Sequence, residues 1–456
     1  MMSTKGNSMK FKQAVLAFSV AAALAAMSGT VSASGFALIE QSASGLGNAY
    51  AGGAASAEDA STIFYNPAGM SRLSGKQIAV VANIIAPSIT FANTVSIPAA
   101  GQASVGGSGG DAGSMALVPS AYFAWAIDSK WSAGVGFGAP FGLKTEYDAN
   151  WLGRFHAIKS DIKTYNLNPS VAYKLNDNVA LGFGINWQRA EAELTKAVNY
   201  FAFGAPANTE GSNKIVGSDN AWGYNLGAMI NITPDTVVGL AYRSAMSYRL
   251  SGSAAYYGRT AALDAAVAGS AALAAQIGDS QITADIKLPA TYSVAVKHQI
   301  NPKWEVLADA TQTRWSSIQS LDINRSSGIA SGLSLESVPF QWRDTWRVGA
   351  GANYRYNGQW LSRVGIAYDQ TPTSDTYRIA RLPDQDRTWL SVGGQYKPTR
   401  ESAIDFGYAH LFVKDPLLNM SGPPALTAAQ ATGRGALIGN YSNKVDILSV
   451  QYTRSF

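Results

Sequence analysis

The sequence predicts an all-β chain, a 14-stranded antiparallel transmembrane β-barrel with an N-terminal hatch, or plug, in its lumen. Three observations predict it. A secretory leader opens the chain, and no later apolar run is long enough for a spanning helix. From Lys76 onward, segments of about 11 to 20 residues alternate apolar and polar side chains with a two-residue period. The connections between those segments alternate strictly between short and long.

The leader comes first. Lys5, Lys10 and Lys12 form its basic region, Ala14 to Met27 its apolar stretch, and Val31-Ser32-Ala33 a small-residue cleavage site, so residues 1–33 are expected to be removed near Ala33 and Ser34 to begin the mature chain. The 35 basic residues less those three lysines leave 32 against 30 acidic ones, a balance that gives no reason to expect nucleic acid. The chain has no cysteine, which excludes disulfides, thiolate metal sites and a Cys nucleophile. Only 14% of residues are charged while 11% are aromatic, and the mean hydropathy is close to zero.

Residues 34–75 do not alternate. They are rich in Gly, Ala and Ser, with scattered anchors at Phe36, Leu38, Ile39, Leu46, Tyr50, Ile63, Phe64 and Tyr65. Small residues permit close backbone approach, and the anchors suit a compact segment pressed against something larger. Asn66-Pro67-Ala68-Gly69 is a turn signal, because Pro fixes φ and Gly accepts positive φ. The reading is a hatch carried by Ser34, Gly35, Phe36, Asn66, Pro67, Ala68 and Gly69; a loose N-terminal tail is the alternative.

The barrel occupies residues 76–456. Trp346, Val348, Ala350, Ala352 and Tyr354 share one face, while Arg347, Gly349, Gly351, Asn353 and Arg355 share the other. Strands are expected at 76–91, 115–127, 131–141, 160–174, 178–194, 219–232, 235–251, 280–300, 303–318, 342–356, 359–372, 386–397, 401–414 and 443–456. Soluble sandwiches use shorter strands; lengths like these, with aromatics near the ends, suit tilted membrane crossings. Turns such as Asn357-Gly358 then face the periplasm, and long loops such as 195–218, 252–279 and 319–341 face outward. The chain ends in Phe456 on an alternating strand, a signal of the kind read by barrel-assembly machinery, although Arg454 stands where that signal more often has an aromatic residue.

These motifs resemble the FadL-type outer-membrane transporters of long-chain fatty acids and other hydrophobic compounds. The resemblance rests on SGFALIEQSASGLGNAYAGG and NPAG near the N-terminus, APFGLKTEY after the third strand, YNLNPSVAYKLND, LPATYSVAVKHQINPKW, and LPDQDRTWLS, in order along almost the whole mature chain. It implies an N-terminal hatch, hydrophobic ligands (a fatty acid or a hydrocarbon), and ligand exit sideways through the barrel wall.

The third strand is odd in its own right. Gly134, Gly136, Gly138, Pro140 and Gly142 leave one face bare, while Val135, Phe137, Ala139 and Phe141 occupy the other, and Pro140 cannot donate to a ladder. One reading is close packing against the plug. The other, favoured by the resemblance, is a lateral portal at Gly134, Gly136, Gly138, Pro140, Phe141 and Gly142. The loop run RTAALDAAVAGSAALAAQIG places Leu263 and Val267 at helical spacing, as a cap or as an apolar capture groove. Lys196 and Arg343, near the outer rim, are the candidate contacts for an acidic headgroup. No metal, cofactor or catalytic pattern is legible, so no enzyme is expected: His156, His298 and His410 are widely separated.

Import of a hydrophobic molecule by passive diffusion is thus the leading expectation. Outer-membrane lipid and lipopolysaccharide are the surrounding partners, and the barrel is expected to be monomeric. A general porin would want a charged constriction and no plug. A rim lipase or protease would need a Ser, a His and an acid together.

Overall fold

The computed structural model describes residues 35–103 and 106–456; the expected leader, its cleavage site and Ser34 lie outside them. Twenty strand segments form one sheet: β1 (Lys76–Asn93), β2 (Ala116–Ala126), β3 (Trp131–Gly138), β4 (Gly142–Glu146), β5 (Lys159–Lys174), β6 (Val179–Asn199), β7 (Glu210–Thr233), β8 (Thr236–Arg243), β9 (Met246–Tyr257), β10 (Ser280–Leu288), β11 (Thr291–Gln299), β12 (Trp304–Thr313), β13 (Ser320–Arg325), β14 (Ser334–Pro339), β15 (Thr345–Arg355), β16 (Trp360–Asp369), β17 (Arg387–Tyr396), β18 (Ser402–Val413), β19 (Leu417–Met420) and β20 (Leu437–Ser455). Antiparallel pairing runs β1-β2-β3-β5-β6-β7-β8-β11-β12-β15-β16-β17-β18-β20 and returns to β1 through Gln77↔Ser455 to Asn93↔Gly439. The ring is a closed 14-stranded barrel.

The burial is inside out. Trp346 and Val348 are 46% and 48% exposed, whereas Arg347 between them is 6% exposed. Leu181, Phe183 and Ile185 face outward, while the lumen is lined by hydrogen-bonded amides: Asn166 and Asn168 donate to Asn186 and Asn225 at 3.0 and 2.9 Å, and Asn186 donates to Asn225 at 2.9 Å. Cross-strand aromatic pairs sit beside the short turns, with Trp131–Tyr173, Trp304–Tyr354 and Trp360–Tyr396 centroids 4.6, 4.8 and 4.5 Å apart. They form the girdle at that membrane interface. No helix among the described residues is long and apolar enough to cross a membrane.

The strands depart from expectation where the sequence signal changes meaning. The expected loop 195–218 is largely strand, since the β6–β7 ladder continues to Asn199↔Glu210. Above the lipid the outward residues become Arg189, Glu191 and Glu193, so the hydropathy signal of a crossing stops while the ladder does not. The long strands expected at 235–251 and 280–300 are each interrupted, at Ser244-Ala245 and at Pro289-Ala290. The loop 319–341 contains the β13–β14 hairpin.

Residues 35–75 fold into three single-turn helices and a short 3₁₀ helix, Pro67–Arg72. They contact strands all round the ring, from β18 and β17 to β11, β8, β7, β6 and β5. Strand glycines admit this segment: a Cβ at Gly182 would run into the Ala68 backbone, and one at Gly227 into the Asn66 side chain.

Candidate functional site

The site begins where β3 stops. β3 pairs with β2 from Ala126↔Ser132 to Ala121↔Phe137 and ends at Gly138. After Ala139-Pro140-Phe141 the chain resumes as β4, which pairs with β5 alone. β2 residues Ala116–Ser120 pair with β1 and have no ladder partner on their other side among the described residues. Pro140 has no amide proton to give, and the Phe141 amide is diverted to Thr164 Oγ1 at 3.0 Å. Thr164 in turn donates to the Phe141 carbonyl at 2.7 Å.

The start of the N-terminal segment covers this interruption as a surrogate strand. The Leu38 amide donates to the Pro140 carbonyl at 2.8 Å and the Gly142 amide to the Phe36 carbonyl at 2.9 Å, around the antiparallel bridge Ala37↔Phe141. Gln41 Nε2 donates to the Ala139 carbonyl at 2.9 Å, and its Oε1 accepts from Ser120 Oγ at 3.0 Å, which ties the β2 side. Gly35 has φ +61°, and a Cβ there would lie 2.6 Å from Trp315. Its amide donates to Asp384 Oδ2 at 2.9 Å. These two contacts fix how Phe36 enters its cage of Phe141, Trp315 and Trp342, with centroids 5.9, 5.1 and 5.8 Å away.

Asn66, fully buried, caps the short helix by accepting from the Ala68 amide at 3.1 Å and donates to the carbonyls of Ala54 and Ala228 at 2.7 and 3.0 Å. Pro67, Ala68 and Gly69 are buried behind it. The turn therefore pins the segment to β7 through the Ala228 carbonyl.

The glycine face of β3 does not leave open space. Gly134 and Gly136 lie within unbroken ladders to β2 and β5, and the volume over them is filled by Ile63, Met70 and Tyr122. Gly138 faces the Gln41 amide. The chain leaves the ladder to β5 only at Ala139–Phe141, while the ladder to β2 ends at Phe137 and is not resumed by β4; of the portal residues expected from sequence, Pro140 and Phe141 lie in the interruption, Gly138 and Gly142 flank it, and Gly134 and Gly136 are covered by Ile63, Met70 and Tyr122.

A luminal cavity of about 140 Å³ opens behind the covering segment, lined by Leu38, Ile39, Phe64, Phe141, Trp315 and Arg347 among others. An apolar cluster continues from Phe36, Phe141 and Trp315 through Tyr248, Tyr256 and Ile282 to Leu263, with Val267 packed against it. The expected single helical run is two helices, Ala261–Gly269 and Ala271–Ile277, with Ser270 capping the second by accepting from the Leu273 amide at 3.3 Å.

Lys196 and Arg343 do not line the luminal cavity. Lys196 is ion-paired to Glu336 at 2.7 Å, and exposed Arg343 donates through Nε to the Thr371 carbonyl at 3.3 Å. The cations that do line it are Arg243 and Arg347. Sequence reasoning passed over both, although their place on the inward phase of alternating strands was the available signal. Arg243 donates to Asn186 at 2.5 Å and to the Phe64 carbonyl at 2.9 Å. Arg347 pairs with Asp309 at 3.5 Å and bonds the Ala49 carbonyl. Among the described residues no group of side chains is arranged to hold a metal ion.

Residues 24–456 match the family described as outer membrane protein transport protein (OMPP1/FadL/TodX). The chain is similar to the 47 kDa outer membrane protein of Pasteurella multocida, with 33% identity over 92% of this chain and 96% of that one. It is 28% identical to the long-chain fatty acid transport protein of Escherichia coli, over 93% and 97% of the two chains. A crystal structure of a Pseudomonas aeruginosa FadL homologue superposes with a TM-score of 0.85 at 27% identity, over 92% of this chain and 99% of that one.

Proposed function

The chain belongs to the OMPP1/FadL/TodX family of outer-membrane transport proteins, and from that premise we propose that it imports long-chain fatty acids passively and releases them sideways through the wall at Ala139–Phe141. Hydrophobic-compound transport in the outer membrane is the property of the family; the fatty acid, the route and the absence of catalysis are our reading. Residues 1–33 act as the cleaved leader, 34–75 as the hatch and 76–456 as the conduit, and the monomer suffices.

The observation that carries the reading is the interruption in the wall, covered by Phe36–Leu38 and continuous with the apolar cluster behind it. Burial of apolar surface contributes about 25 cal/mol per Å². An acyl chain moving down the cluster therefore stays out of water, and leaving through the gap into lipid keeps that gain, whereas entry into the periplasm loses it. A second reading, carriage of uncharged aromatic or alkane hydrocarbons, is favoured by one feature: both cavity arginines already have partners. The hatch argues against a general porin.

Gly138→Leu with Pro140→Val tests the route. The leucine meets Gln41 and Ser120, and the valine restores a ladder donor. Vesicles carrying the double variant should bind oleate but lose its uptake. Unchanged uptake by folded protein would send the ligand straight past the hatch instead. Competition between oleate and toluene for uptake by the native protein decides the cargo.

A further inference from the structure

On the outer face of the wall, the cross-strand registers of β5, β6, β7 and β9 mark where the lipid band ends. Leu167, Trp187 and Trp222 stand in one row. Trp222 is 69% exposed, and Tyr224 and Leu226 continue the exposed apolar strip along β7. Two residues on, the row reads Tyr165, Arg189 and Asn220, and the next reads Lys163, Glu191, Ser218 and Ser251. An apolar surface thus gives way to a charged one within a single row. The charges stand mainly on β5 and β6, while β7 and β9 carry small side chains beside them.

That difference in size hollows the surface into an open cleft of about 410 Å³. Lys163, Arg189, Glu191 and Glu193 form its charged bank, and Gly217, Ser218, Ser251 and Gly252 its floor. The bank is a chain of ion pairs. Arg189 donates through Nε to Glu191 at 2.7 Å and through Nη2 to Ser218 Oγ at 3.2 Å. Lys163 meets Asp161 at 3.2 Å, and Lys159 and Lys214 both meet Glu193, at 3.0 and 2.9 Å. Four cations therefore share three carboxylates. The Arg189 and Glu191 side chains are 39% and 42% exposed. Ion pairs this exposed are weak in water, so an incoming anion recruits their cations at little cost.

We propose that this cleft binds the phosphorylated sugar headgroup of an outer-leaflet glycolipid. Lys163 and Arg189 hold the phosphate, the Ser218 and Ser251 hydroxyls meet the sugar, and the acyl chains run down over Trp222, Tyr224 and Leu226. The chemistry selects this class. A phosphate has oxygens enough for an Arg fork and a Lys together. A floor of hydroxyls and glycine backbone admits a sugar ring, and exposed Trp and Tyr suit the junction of headgroup and chain. A free sugar phosphate makes no use of the apolar strip below, and a phospholipid makes little of the hydroxyl floor. The cleft lies outside the lumen, so the proposal is independent of which compound the lumen carries.

The test is native mass spectrometry of the delipidated full-length protein in non-ionic detergent. It is titrated with diphosphoryl lipid A or with cardiolipin, which carries phosphates and acyl chains but no sugar. Binding of lipid A at least tenfold tighter than cardiolipin is expected. Lys163→Gln with Arg189→Gln should weaken it at least tenfold while the heat-modifiable gel shift of the barrel persists. Glu191→Gln releases Arg189 and should tighten it several-fold, a gain that a misfolded wall cannot imitate. Equal binding of the two lipids would assign this face to anionic lipid in general. That result, native binding of lipid A by the folded double variant, or no gain in Glu191→Gln overturns the proposal.

Discussion

If Phe36–Leu38 must leave the wall for the portal to open, tying Ala37 to Phe141 should stop transport. The two residues oppose each other in an antiparallel bridge, and the flanking bonds are Leu38 amide to Pro140 carbonyl and Gly142 amide to Phe36 carbonyl. Ala37 and Phe141 therefore form a non-hydrogen-bonded pair, for which Cα atoms lie about 4.5 Å apart, within the range a disulfide spans. The chain has no cysteine to mispair with. Opening the native contact breaks those two bonds and the one from Gln41 to Ala139, at about 1 kcal/mol net each, and unseats Phe36, worth about 1.5–3 kcal/mol. The closed state is then favoured by about 5 kcal/mol, an unliganded open fraction on the order of 1 in 10⁴, which ligand binding has to raise. In Ala37→Cys/Phe141→Cys the oxidised form should show only background uptake of labelled oleate, and reductant should restore it to the level of Phe141→Cys alone. Native-level uptake by folded, fully cross-linked protein would refute the reasoning.

Three further outcomes follow from the same geometry. Gly35→Ala places a methyl against Trp315 at a φ of +61°, which costs about 1–2 kcal/mol in backbone strain before any clash. It should raise amide exchange at Leu38 and Gly142, and unchanged exchange would show that the turn does not hold Phe36. Asn66→Ala with Pro67→Ala removes the donors to the carbonyls of Ala54 and Ala228 and the cap on Ala68, a loss of about 2–4 kcal/mol; exchange over residues 54–70 should rise and uptake fall while the heat-modifiable gel shift of the barrel persists, and native uptake would make the turn incidental. His156 is pushed down to about 3 by burial first and then by Arg434, Lys196 and Arg381, with the Gly435 carbonyl and Glu336 the opposing acceptor and carboxylate beside it. The unfolded loop thus takes a proton that the folded loop refuses, so the protection of this loop cluster should be full above pH 6.5 and fall by up to about 1.4 kcal/mol per unit toward pH 3; His156→Gln should flatten that slope, and a flat native profile would contradict the burial of a neutral imidazole.

Most of the barrel was legible because closure and lipid impose a period on the chain. Trp346 and Val348 against Arg347 report an outside and an inside without any structure in hand. The number of crossings followed from the turns, since signals such as Asn357-Gly358 depend on local backbone chemistry alone. The bare face of β3 was legible as an anomaly but not as to its use. Whether Gly134 adjoins empty space or Ile63 and Met70 depends on a segment some seventy residues earlier in the chain, and periodicity carries nothing about such partners. That Lys196 does not line the luminal cavity was illegible for a related reason. Lys196 has the right strand and the right height, but its partner Glu336 comes from a hairpin hidden in what read as a loop.

The partners of Arg243 and Arg347 bear on what the lumen can select. A free guanidinium in an apolar cavity would reward a carboxylate strongly, because ligand and cation would lose their desolvation penalty together. Here Arg347 already faces Asp309 and the Ala49 carbonyl, and Arg243 already serves Asn186 and the Phe64 carbonyl. A carboxylate that enters must displace one of these bonds, so its net gain is the difference between two acceptors rather than the whole of one interaction. Selection then rests on apolar fit along Leu38, Ile39, Phe64, Phe141 and Trp315. Two of the displaced acceptors, the Ala49 and Phe64 carbonyls, belong to the N-terminal segment itself. An acid that captures either arginine therefore releases a tie on that segment, and an uncharged hydrocarbon does not. Oleate should accordingly accelerate amide exchange in residues 47–66 more than its methyl ester does at equal occupancy, and equal acceleration would mean that the arginines take no part in opening.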